Sequence, residues 1–172
     1  LMSVTLRISC GVATGADSVF VHRTAALPEE LRQYAHPTVA GRELRAGGEL
    51  KSLHSLLVPY DSQGRLLAEK SLGALRDYLR EPARLRQLKG RTCVARKPWY
   101  AFHETPPLPE LLRPKLLCKD IGARPSFFLD RTGSIVPRHS VYYIVPRDAS
   151  NLGALLEYLN SDAAAKWLDS HC

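Results

Sequence analysis

The sequence lacks any apolar run near the ~20 residues that a membrane-spanning helix needs, and this argues against a membrane-embedded chain. The first ten residues carry charge and hydroxyls and no sustained apolar core, so they do not read as a secretory leader. Cysteine is sparse. Cys10, Cys93, Cys118 and Cys172 form no Cys-x-x-Cys pair, and no histidine stands at zinc-ligand spacing from them. Scattered thiols without a leader point to a reducing, cytoplasmic setting, with Cys118 in a strand-like run as a core or semi-core residue. No metal-nuclease pattern of spaced carboxylates is present, and Lys119-Asp120 lacks a spaced acidic partner. Cys93 and His103 are a nucleophile–base pair only by chance proximity.

Acids are also in deficit: 17 against 24 bases, for a net charge of +7. Seventeen of the bases are arginine, whose planar fork suits phosphate oxygens and the guanine edge. A genomic bias toward Ala, Leu and Arg explains the same excess. The distribution is more telling. Residues 76–97 hold Arg76, Arg80, Arg84, Arg86, Lys89, Arg91, Arg96 and Lys97 against Asp77 and Glu81, eight minus two, or +6 in 22 residues. Arg76, Arg80 and Arg84 recur every four residues and share one face if a helix continues past Pro82. Such a strip would neutralise successive phosphates. Trp99 and Tyr100 follow, able to stack on a base or to fill a core.

At 172 residues the chain fits a single domain burying roughly 70% of its unfolded surface, which requires neither disulfides nor metal. Alternation over 4–8 predicts a strand, Gly11–Gly15 a turn, and 19–22 a second strand. Pro28 opens a short helix over 29–34. Residues 39–45 form a connector before Gly47-Gly48. A strand follows over 53–58 and a turn over 61–64. Leu72, Leu75, Leu79, Leu85 and Leu88 mark two helices, the second restarted by Pro82. Residues 98–102 read as extended, and Pro106, Pro107 and Pro109 as a stiff linker. Strands are predicted over 115–118, 126–129 and 141–145, with a hairpin-type turn at 130–133. Asn151 caps a helix with Leu152, Leu155, Leu156 and Leu159 on its apolar face. Asn160-Ser161-Asp162 caps a last helix carrying Trp167 and Leu168. Strands and clustered helices without βαβ alternation give an α+β class with mixed, largely antiparallel sheets, and the helical parts lie near 66–90 and 151–172.

Gly11-x-x-x-Gly15 is neither a P-loop nor a dinucleotide fingerprint. With Thr14 and Phe20 it matches the segment G-[IV]-x-T-G-x-N-x-x-F, with Asp17 in place of the usual Asn. Gly41-Arg42-Glu43-Leu44, Trp99-Tyr100, Arg113-Pro114-Lys115 with Asp120-Ile121, and Tyr143-Ile144 leading to Leu155-Leu156-Glu157-Tyr158-Leu159-Asn160-Ser161 follow in order. This succession, from about Gly11 to Leu168, resembles the C-terminal specificity domain of TaqI-like adenine-N6 DNA methyltransferases and type II restriction-modification enzymes.

The resemblance implies a lobe that chooses the recognition sequence on double-stranded DNA while facing a catalytic methyltransferase lobe of the same parent. The Asn/Asp-Pro-Pro-Tyr/Phe loop and the glycine-rich loop for S-adenosylmethionine are not in this sequence, and Glu104-Thr105-Pro106-Pro107 does not substitute for them. The chain therefore reads as a piece of a larger enzyme, without a cofactor or catalysis of its own. On this reading Arg76, Arg80, Arg84, Arg86, Lys89 and Arg91 grip phosphates. Arg42, Arg45 and Lys97 reach into a groove, and Lys115 and Lys119 are further backbone contacts. Thr14 contacts DNA or only stabilises its turn, and Trp99 and Tyr100 stack on a base or are buried. The competing class is a protein-interaction module that docks through its C-terminal helices.

Overall fold

The computed structural model describes residues 4–45, 50–121 and 126–171, with backbone alone at 168, 169 and 171. Gly47-Gly48, Cys172 and the Leu168 side chain fall outside it. Among the described residues the strands form two antiparallel sheets. In the larger, β1 (Thr5–Cys10) pairs with β7 (Val141–Pro146), β7 with β5 (Lys115–Lys119), and β5 with β6 (Phe127–Asp130). In the smaller, β4 (His54–Leu57) lies between β2 (Val21–Arg23) and β3 (Ala35–Thr38). The α+β class is as expected.

Strand alternation divides the larger sheet. Leu117, Tyr143 and Val145 face the main core with Phe20, Phe102 and the leucines of the central helices. Leu116 and Ile144 face the opposite way, under Leu152, Leu155 and Leu159 of α5 (Leu152–Leu159). Burying such a leucine contributes ~1.5–3 kcal/mol. Asn160 fixes the end of α5 to β6: its Oδ1 accepts the Phe127 N–H at 2.9 Å, and its Nδ2 donates to Phe127 O at 3.0 Å. Ser161 Oγ accepts the Ala164 N–H and caps α6 (Asp162–His171). The expected cap at Asn151 is not made. Asp148 receives the Ser150 N–H instead, at the start of a 3-10 turn that leads into α5.

Several local expectations yield to tertiary packing. The second strand expected after the glycine turn begins instead as a single helical turn, α1 (Asp17–Phe20), that places Val19 and Phe20 in the core; β2 follows. An apolar run this short cannot distinguish strand from helix by periodicity. Thus β1 and β2 belong to different sheets. The 29–34 segment is 3-10 rather than α. Residues 98–102 turn, with the Ala101 N–H on Pro98 O, rather than extend. The proline linker contains one helical turn, α4 (Leu108–Leu111), with Pro109 in the first-turn position that proline tolerates.

The turn at 130–133 forms, but it closes no hairpin, because β5 separates β6 from β7. The chain leaving it crosses to the other sheet: Val136 N–H donates to Pro37 O and Arg138 N–H to Val39 O. This crossing segment, 136–139, ties both sheets to the glycine turn.

Candidate nucleic-acid interface

The basic helices are two. α2 (Gly73–Leu79) ends before Glu81, whose carboxylate caps α3 (Pro82–Lys89) by accepting the Ala83 and Arg84 N–H groups. Proline lacks the N–H that would continue α2 and is suited to the first turn of α3. The single face expected for Arg76, Arg80 and Arg84 is therefore broken.

Each of the three has an internal partner. Arg76 pairs with Asp77 at 3.0 Å. Arg80 donates through Nε and Nη2 to Glu69 Oε1 at 2.8 and 2.6 Å. Arg84 lies over the Tyr78 ring at 3.9 Å, donates to Tyr78 O and faces Glu81 at 3.6 Å. Arg91 is turned further inward. Its guanidinium donates to Leu88 O, Thr14 O and Trp99 O, and burial depresses its pKa. It acts as a brace. Arg86 and Lys89 are exposed on α3, and no described residue pairs with either.

Burial sets the place of four further residues. Tyr100 is 5% exposed and donates its hydroxyl to Leu67 O, so it is core. Trp99 packs edge-on against Tyr100, with Nε1 donating to Glu69 Oε2 at 3.3 Å. Lys115 is fully buried and donates to Asp130 at 2.6 Å and to Leu111 O at 2.6 Å, so it is no surface contact. Thr14 is 1% exposed. Its hydroxyl donates to Asp17 Oδ1 at 2.5 Å and accepts the Ala16 N–H at 3.0 Å.

What the fold brings together is a groove around the glycine turn. Gly11 permits it: a Cβ there would stand 2.4 Å from the carbonyl oxygens of both Pro137 and Arg138. Gly15 adopts φ +71°, a left-handed conformation open to glycine, and lies against His103 and Arg91. The turn is held on one side by the crossing segment, through Val12 N–H to Pro137 O and His139 N–H to Val12 O. On the other side His103 N–H donates to Thr14 O and Glu104 N–H to Ala13 O.

Two hollows meet along this turn. One is lined by Gly15, Asp17, Ser18, Gln87, His103 and His139. The other is lined by Asp17, Arg42, Arg138, His139 and Ser140, so the two share Asp17 and His139. Arg42 also borders a third hollow with Arg45 and Lys51. Lys97 lies at the His103 end, its Nζ donating to His103 O at 3.0 Å. Lys119 is exposed at the end of β5, next to Asp120, which approaches Gly41.

The floor is electrostatically fixed. Arg138, 6% exposed, pairs with Glu43 and stands 3.9 Å from Asp17 Oδ2. Glu43 accepts the Ala40 N–H at 2.7 Å and pairs with His54 Nδ1 at 2.6 Å. Burial works against the Glu43 carboxylate, yet the Ala40 N–H, His54 and Arg138 together hold its pKa below the ordinary glutamate value. The sequence reading gave no part in DNA binding to Ser18, Gln87, His103, Arg138 or His139. Thr14 and Asp17 of the glycine turn, with Arg42, were the residues that marked the place.

No protein-family model matches the chain. It is similar to a segment of the type II methyltransferase M.PaeR7I of Pseudomonas aeruginosa, at 31% identity over 146 residues, covering 83% of this chain and 24% of that protein. It is also similar to M.BstVI of Geobacillus stearothermophilus, at 28% identity over 145 residues, 81% of this chain and 25% of that protein. The chain thus spans about a quarter of these curated relatives. In fold it resembles part of the type IIL restriction-modification enzyme MmeI, solved in complex with DNA, with TM-score 0.53 and 14% identity over 87% of this chain and 20% of that one. The likeness is to one segment of restriction-modification methyltransferases. Among the described residues no helix is long and apolar enough to cross a membrane.

Proposed function

We propose that this chain is the DNA target-recognition domain of a type II restriction-modification methyltransferase of adenine-N6 specificity. Methyl transfer and S-adenosylmethionine belong to a catalytic part beyond this chain. The observation that carries this reading is the groove itself: five segments distant in sequence converge on it, and Arg42, a cation without a described partner, lines it. Arg42 lies in the groove and Arg45 beside it; Arg86 and Lys89 share α3 with Gln87. The segment likeness to methyltransferases and the fold likeness to a DNA-bound restriction-modification enzyme support it.

Phosphate contacts are assigned to Arg86, Lys89 and Lys119, with Arg76, Arg80 and Arg84 secondary because a phosphate must compete with their acids. Arg42, Arg45 and Lys97 are assigned to the groove. Duplex titration across a range of salt tests this. A log–log slope of several units supports it, since each phosphate contributes about 0.9. Salt-insensitive behaviour without duplex binding would favour the protein-docking alternative, for which the exposed Tyr158 and Trp167 on the last two helices speak.

A further inference from the structure

The groove contains a carboxylate, which is out of place on a surface that meets a polyanion. Asp17 is 37% exposed. Its Oδ1 is engaged by the buried Thr14 hydroxyl, and Arg138, at 3.9 Å from Oδ2, is beyond hydrogen-bonding distance. The acid is thereby held in one orientation, partly balanced in charge, with Oδ2 lacking a hydrogen-bond donor among the described residues. Beside it, Gln87 Nε2 donates to Ser18 Oγ at 2.6 Å. That leaves the amide one N–H and its carbonyl oxygen to offer.

We infer that Asp17, with Gln87 and Ser18, determines base specificity in this groove by accepting the exocyclic amino group of an adenine or a cytosine. The inference rests on the DNA-recognition reading and names the chemistry of that same site. In the major groove the only base-edge donors are adenine N6 and cytosine N4. A free carboxylate oxygen accepts from either and is repelled by the carbonyls of guanine and thymine. The Gln87 amide offers the donor–acceptor pair that matches adenine N7 and N6. Gln87 stands on the same two-turn helix as Arg86 and Lys89, so a phosphate grip by that helix sets the depth at which the amide reaches the bases. Thr14, which holds Asp17 Oδ1 from within the turn, becomes the positioning residue for Asp17.

The test passes a duplex pool with a randomised centre over the full chain and over Asp17→Asn, Gln87→Ala, Thr14→Val and Arg86→Ala/Lys89→Ala, each first checked for native thermal unfolding. Selected sequences are read, and affinity is measured on a selected and a random duplex.

Asp17→Asn should lose discrimination at one base position by about 5- to 100-fold and admit guanine or thymine there. Its affinity for random duplex and its salt slope should stay level or rise. Gln87→Ala should relax a neighbouring position. Thr14→Val should reproduce a weaker form of the Asp17 effect. Adenine retained at the Asp17 position in the wild-type selection identifies N6 as the donor, and cytosine identifies N4. Selected sites unchanged in both Asp17→Asn and Gln87→Ala overturn the inference while leaving DNA recognition standing. Absence of wild-type enrichment, with Arg86→Ala/Lys89→Ala leaving binding unaltered, overturns the recognition reading itself.

Discussion

The α2–α3 segment and the glycine-turn groove differ in a way that charge counting does not show. The first, with the residues that follow it as far as Lys97, holds +6 of the chain's net charge of +7, yet Arg76, Arg80 and Arg84 each meet an acid and Arg91 braces backbone carbonyls. The second mixes Asp17, Glu43, Arg138 and Arg42 and carries little surplus, but it is open, and loops distant in sequence converge there. Density of arginine therefore measures how many cations a segment contains, not how many it offers. Those left to offer are the few without a described partner, among them Arg86 and Lys89 on α3 and Arg42 and Arg45 near the groove.

The deepest inward-turned cation gives the largest expected effect. Lys115→Ala leaves Asp130 buried without its cation, and breaking such a pair costs ~3–5 kcal/mol. For a chain of this size that lowers the melting temperature by roughly 6–20 °C, read by calorimetry. The loss should appear on unfolding with little change in duplex affinity of the folded fraction. An equal loss of DNA affinity at unchanged stability would move Lys115 back among the contacts.

Glu43→Gln tests the groove's floor. Neutralising the partner of the buried Arg138 while keeping a hydrogen-bonding amide should cost ~1.5–3 kcal/mol at pH 7. Because the folded Glu43 pKa lies below its ordinary 4.5, the native state favours the carboxylate. Its contribution is complete above about pH 5 and is lost as pH falls through the depressed folded value. Urea unfolding of both proteins from pH 7 to 3 should show the gap narrowing only below the ordinary glutamate range. A gap constant with pH would remove the Glu43 charge from the floor. Arg91→Ala follows at ~2 kcal/mol, since three carbonyls lose a charged donor.

Strong local signals were legible in the sequence. The β5 and β7 strands, the Pro82 restart and the Ser161 cap all rest on periodicity or on a single residue's backbone chemistry. The groove was not legible, because Asp17, Gln87, His103 and His139 are brought together by a sheet order in which β5 separates β6 from β7 and by a crossing segment between sheets. No local pattern encodes that. Lys115 misled for a related reason: its partner Asp130 is its cross-strand neighbour in β6, a register visible only once the strands pair. The arginine repeat misled because Glu69, which takes Arg80, lies outside the window where the charges were counted.

On DNA the contrast among cations becomes a graded prediction. Arg86→Ala/Lys89→Ala should flatten the salt dependence of duplex binding by about two units of slope and change stability by less than about 0.5 kcal/mol, as exposed substitutions do. A salt slope left unaltered would take α3 off the phosphate path.

Arg80 marks the small end of the scale and separates the two regions most finely. Its pair with Glu69 is exposed, the arginine side chain being 56% accessible, so the pair is worth ~0.2–1 kcal/mol. Arg80→Ala should therefore cost under about 1 kcal/mol in stability and weaken duplex binding less than loss of Arg86 does. The informative variant removes the acid instead. Glu69→Gln keeps a hydrogen-bonding group for Trp99 Nε1 and frees the Arg80 charge. If α2 faces DNA, binding tightens and its salt dependence steepens. If both stay unchanged, Arg80 points away from the duplex and the phosphate path is confined to α3 and the groove rim.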